Sequence, residues 1–192
     1  MSTPDEVLGF WLDEVGPSGW YNGSEALDAE IRDRFLGDWE ALRAGGLSLW
    51  LTASRSALAY IIVADQFPRN MFRDDPRAFA LDAMALSAAK VAISRRWDLR
   101  IAEPERQFFY LPLMHSENLC DQDRCVRLMS MRMPETGAEN LLHARAHREV
   151  IRRFGRFPHR NAALDRPMQR AERVFLNAGG YGALLRDMKA DA

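Results

Sequence analysis

From Leu27 to Leu42 the apolar residues Leu27, Ile31, Phe35, Trp39 and Leu42 recur every three or four positions. That spacing lines up one face of an α-helix. Leu58, Ile61 and Ile62 repeat it, and Val150, Ile151 and Phe154 share a face with His143 and His147. No stretch sustains a two-residue alternation, and no Asn-Gly turn joins two strand-like runs. The pattern predicts an all-α chain: one domain over residues 1–192, with seven to nine helices in antiparallel pairs.

Punctuation sets the predicted boundaries. Thr3-Pro4-Asp5-Glu6 reads as a capping box with proline in the first turn. Ser24 caps the next helix and Gly45-Gly46 ends it. Thr52 is expected to cap a helix that Pro68 stops, and Asp75-Pro76 to start an alanine-rich one. Glu103-Pro104 opens "ERQFFYL", Ser116 with Glu117 starts the helix through "ENLCDQDRCVRLMSMRM", and Thr136 caps "ENLLHARAHREVIRRF". Gly155 suits the position after a helix, Pro167 starts "MQRAERVFL", and "YGALLRDMKA" has room for a last turn or two.

Composition narrows the setting. The longest apolar run, "ALAYIIVA", is far short of a membrane span. The acidic start "MSTPDEVLGFWLDEV" lacks the basic region of a signal peptide. Cys120 and Cys125 would stand about 140° apart on a helix, which suits neither a disulfide nor a shared metal, so reduced thiols and a cytoplasmic location are expected. The net charge of −1 hides an asymmetry, because residues 145–173 hold nine Arg against Glu149, Asp165 and Glu172. Arginine forks onto carboxylates and phosphates, so an anionic ligand enters as an option.

One phrase occurs twice, as "DQFPRN" at Asp65–Asn70 and "GRFPHRN" at Gly155–Asn161. Together with "AFALDAMAL", "FFYLPLMHSENLCDQ" and "HREVIRRF", these segments resemble the domain-of-unknown-function 924 family over about residues 39–164. The resemblance implies a tetratricopeptide-like, right-handed helical stack and brings no established activity, cofactor or catalytic residue. After the second corner the text "LDRPMQRAERVFLNAGGYG" departs from the family's usual Gly-Arg-(Glu)-Ser-Thr-Pro-Glu-Glu, so residues 165–192 are set apart as divergent.

Candidate chemistry collects at helix ends. Asp65 falls on an inward face, where a carboxylate needs a cationic or hydrogen-bonding partner. A structural ion pair is the simpler reading and a catalytic carboxylate the sharper one. His143 and His147 have the spacing of two metal ligands, but Ala144 breaks the His-Glu-x-x-His pattern and no third ligand is indicated, so no metal and no cofactor are expected. In "PLMHSEN", capping by Ser116 and dipole complementation by Glu117 account for two residues and leave His115 over. The candidate catalytic set is Asp65, His115, Glu117 and His147. The candidate ligand-binding set is Arg69, Asn70, His159, Arg160 and Asn161, on the supposition that both Phe-Pro corners line one polar pocket.

Two function classes follow. One is a binding module for a small anion or an acidic peptide. The other is a hydrolase-type enzyme on a phosphorylated or carboxylated metabolite, with Asp65 and His147 as acid and base. Neither a nucleic acid nor a membrane is an expected partner, and a homodimer is left open.

Overall fold

A computed structural model describes residues 1–190, and among these residues every regular element is helical. Seven α-helices run for eight residues or more: α1 (Glu25–Arg43), α2 (Ser54–Ile61), α3 (Asp82–Ser94), α4 (Leu119–Arg132), α5 (Ala138–Phe154), α6 (Arg170–Asn177) and α7 (Gly180–Ala190). The chain separates into two compact units, Met1–Pro112 and Leu113–Ala192.

The first unit is built around aromatic rings. Phe67 stands at its centre, 4.7 Å from Phe35, 5.4 Å from Trp11 and 6.0 Å from Phe10 between ring centroids. Thr3 forms the predicted capping box with Glu6, and Ser24 caps α1 by accepting from the Leu27 amide. Thr52 does not cap α2. It donates to the Leu49 carbonyl inside a 3₁₀ turn, and Ala53 occupies the cap position.

Pro68 does not stop its helix either. Beyond Ile61 the chain continues as a π turn, Ile62–Gln66, and then as α-helix over Phe67–Met71. The Phe67 amide donates to the Ile62 carbonyl, five residues back. Widening the turn just upstream removes the demand for an ordinary amide at position 68 and relieves the clash of its ring with the preceding turn.

In the second unit, α4 and α5 form a helical hairpin, with α7 packed on α5. Ala146, Val150, Ile151, Phe157 and Leu184 make its core, with Phe154, Phe175, Tyr181, Leu185 and Met188 against it. The cap of α4 is Asn118, two residues later than predicted, accepting from the amides of Cys120 and Asp121. Gly137, not Thr136, precedes α5. The segment after Pro167 enters helix at Arg170, where Gln169 and Glu172 form a capping box. The final segment is a helix of 11 residues rather than a turn or two.

Gly155 closes α5 with φ of +68°, donating its amide to the Ile151 carbonyl. This left-handed conformation suits glycine. Phe157 is then extended and Pro158–Arg160 make one 3₁₀ turn.

Candidate functional site

Each Phe-Pro corner is tied down inside its own unit. In the first, Asp65 is fully buried and accepts at Oδ2 from Gln66 Nε2 at 2.5 Å. Arg69 Nη1 lies 3.4 Å from Asp65 Oδ1 and bonds the Asp65 carbonyl, while Nη2 reaches Asp82 Oδ1 at 3.0 Å. Burial works against the charge on Arg69, but Asp65 and Asp82 outweigh it and raise its pKa. Asn70 donates to Asp28 Oδ1 at 2.8 Å, and Arg73 forks onto the same carboxylate. Arg69 and Asn70 are thus held by the protein's own carboxylates.

The second corner is bound to the "PLMHSEN" loop. Glu117 accepts the Phe157 amide at 2.7 Å and pairs with Arg166 at 2.6 and 3.0 Å. Burial alone would raise its pKa, but Arg166 and the Phe157 amide turn the balance and lower it. Glu117 is therefore a clamp between loop and corner rather than a dipole partner of α4. Ser116 donates to Asp121 Oδ2 at 2.9 Å. Arg160 donates to the His115 carbonyl at 3.1 Å and lies 4.6 Å over the Phe157 ring. Asn161 donates to Glu172 at 3.1 Å and accepts from Arg166 at 3.0 Å. Glu172, 1% exposed, is also forked by Arg156, which with the Gln169 amide holds its pKa at about 2.

Around this frame the histidines gather. His147 Nδ1 stands 2.9 Å from the His143 carbonyl. A carbonyl only accepts, so Nδ1 carries the proton and the neutral ring keeps a lone pair on Nε2. The ring lies 4.8 Å from Tyr181, 5.5 Å from Phe157 and 6.4 Å from His115. Tyr181 hydroxyl and His143 Nδ1 are 2.6 Å apart. Burial first, and then the neighbouring His115, press the His147 pKa down to about 3. The ring is neutral at pH 7, so it gives an anion no charge; protonation near neutrality, natural for an unperturbed imidazole, does not occur here.

His147, His159 and Tyr181 open onto a cavity of about 350 Å³, closed by Val150, Phe157, Pro158, Phe175 and Leu176. Exposed His159 sits at its edge, its ring 5.7 Å from Phe157. Within this unit the structure brings together His115, Glu117, His147, His159, Arg160 and Asn161. Sequence reasoning missed Arg156, Arg166, Glu172 and Tyr181, all but the first inside the segment set apart as divergent. It also missed Gln122, fully buried, whose Nε2 binds the Met114 and Ser116 carbonyls at 2.6 and 2.8 Å. The signal available was the Gln-x-x-Glu spacing of residues 169–172, an atypical capping box. Among the described residues, no group of three or more His, Cys, Asp or Glu is placed to hold a metal ion.

A family model described as "Bacterial protein of unknown function (DUF924)" matches residues 7–180. The chain belongs to the DUF924 family. The match extends well beyond residues 39–164, so α6 and the start of α7, including Gly180, lie within the DUF924 region. A solved structure, that of a protein of unknown function, ATU0120, from Agrobacterium tumefaciens, is similar to it at 38% identity, with a TM-score of 0.84 over 90% of this chain and 96% of that one. No curated protein matches the chain.

Proposed function

We propose that this DUF924 protein is a binding module whose second unit holds a small anionic molecule carrying a hydroxyl group. The observation that carries the reading is His147: its Nδ1 is committed to the His143 carbonyl, and it lines a cavity beside Tyr181 and His159. A ring so fixed offers Nε2 as an acceptor for a ligand O–H. The cavity volume of about 350 Å³ is near the lower end of ligand pockets, which run from about 300 to 1,000 Å³. That size supports a small molecule over an acidic peptide. Aromatic walls suit a flat or compact body. Residues 145–173, with nine arginines against Glu149, Asp165 and Glu172, keep an excess of positive charge that draws anions even though five of those arginines are ion-paired.

The hydrolase alternative has less behind it. A base with a pKa of about 3 is far from the optimum near the working pH, and Asp65 is engaged by Gln66 and Arg69. The α4–α5 hairpin with α7 packed on it supports the tetratricopeptide-like reading, and such scaffolds mostly bind, an analogy from fold alone. Cys120 and Cys125, neither in a disulfide among the described residues, fit a cytoplasmic place. Among the described residues no helix is long and apolar enough to cross a membrane.

Titration calorimetry with 4-hydroxybenzoate, benzoate and inorganic phosphate tests the reading. The hydroxylated acid should bind most tightly, with affinity falling as salt rises. Equal or absent heats for all three would overturn it.

A further inference from the structure

The first unit contains a cavity of its own, of about 450 Å³. Ala83, Ser87 and Ala88 of α3 form one wall, too short to fill the space, and Leu51, Tyr60 and Trp97 stand around them. The walls are largely apolar, with hydroxyls carried by Ser87 and Tyr60. Tyr60 is only 4% exposed, and among the described residues its hydroxyl makes no hydrogen bond. The Tyr60 hydroxyl is not among the fully buried unpaired polar atoms, so it opens on the cavity, where an acceptor atom of a ligand can take the place of water as its partner. Burial raises the Tyr60 pKa, so the group is a neutral donor.

Charge indicates which acceptor. The Arg95 guanidinium lies 4.9 Å over the ring of Trp97, a lining residue, and forms no ion pair among the described residues. An exposed cation stacked on one lining residue, beside a largely apolar cavity that carries the Tyr60 and Ser87 hydroxyls, suits a carboxylate on a hydrocarbon body. We propose that this cavity binds an aliphatic monocarboxylate, its chain lying along Ala83, Ser87 and Ala88 and its carboxylate accepting from the Tyr60 hydroxyl, with Arg95 supplying the charge. An apolar side chain of another protein would need neither the hydroxyl nor the cation.

The test is calorimetric titration of the full chain with sodium octanoate and with octan-1-ol, alongside amide chemical shifts. Octanoate should bind at one site, more tightly than the alcohol, and shift amides of residues 83–97 rather than those around His147. Tyr60→Phe should weaken octanoate about five- to tenfold, the range of one lost hydrogen bond. Arg95→Gln should remove the preference over octan-1-ol. Ala83→Trp, at an exposed position the fold tolerates, should fill the cavity and abolish binding. Absence of saturable octanoate binding, equal affinity for the alcohol, or undiminished binding by Ala83→Trp would each overturn the proposal.

Discussion

The two Phe-Pro corners share their letters and differ in everything that decides conformation. At the first, Gln66 precedes Phe-Pro, the chain stays right-handed, and a π turn lets Pro68 sit inside continuing helix. At the second, Gly155 turns left-handed, the helix ends, and Pro158 begins a separate 3₁₀ turn. Their electrostatics diverge as well. The first corner carries its own carboxylate, Asp65, beside Asp28 and Asp82 from other segments, whereas the second has none of its own and is fastened by Glu117 and Glu172. A motif's upstream residue, more than the motif, therefore selects between a passage and a stop.

The largest effect expected from breaking this contrast is at Asp65. Replacement by Ala leaves Arg69 with Asp82 alone and leaves Gln66 Nε2 without its buried acceptor, and chemical denaturation should show a loss of about 3 kcal/mol, the low end for breaking a buried pair. A variant as stable as the parent would remove the ion pair from the account.

Acid should discriminate next. Glu172 is held at about pKa 2 against an ordinary 4.5. A depressed carboxylate contributes fully above its unfolded value and loses that contribution as pH falls through the folded one. His147 acts in the same direction, since its pKa is lowered from 6.5 to about 3 and the unfolded chain takes up the proton first. Melting temperature should therefore decline from about pH 6.5 downward and more steeply between about 4.5 and 2. Glu172→Gln should flatten the lower part of that curve.

Smaller effects separate the two corners. A Cβ on Gly155 would meet nothing within 4 Å, so Gly155→Ala carries only the left-handed strain, about 1–2 kcal/mol. Pro68→Ala should cost less, about 0.4–1 kcal/mol from the freer unfolded chain, with helix content unchanged by circular dichroism. A gain in helicity would show that Pro68 does interrupt the helix.

Legibility followed the range of the interactions. The helices and the caps at Thr3, Ser24 and Gly155 depend on residues three or four positions apart, and the sequence displays them. The inward face of Asp65 was readable from the same period. By contrast, Glu117 finds Arg166 49 residues away and His143 finds Tyr181 38 away, and no spacing rule reaches so far. The helical passage through Pro68 was hidden because π turns leave no periodic trace. The affinity of Arg69 and Asn70 for internal carboxylates could not be told from an affinity for ligands, since the same donors serve both.

The most direct measurement of the central claim follows the ring nitrogens of His147 by NMR at pH 7 during titration with 4-hydroxybenzoate. The account predicts a neutral ring protonated at Nδ1 from the start, and a saturable shift at Nε2 that benzoate does not produce. A His147 ring that titrates near pH 6.5, or an Nε2 signal indifferent to the hydroxylated acid, would contradict it.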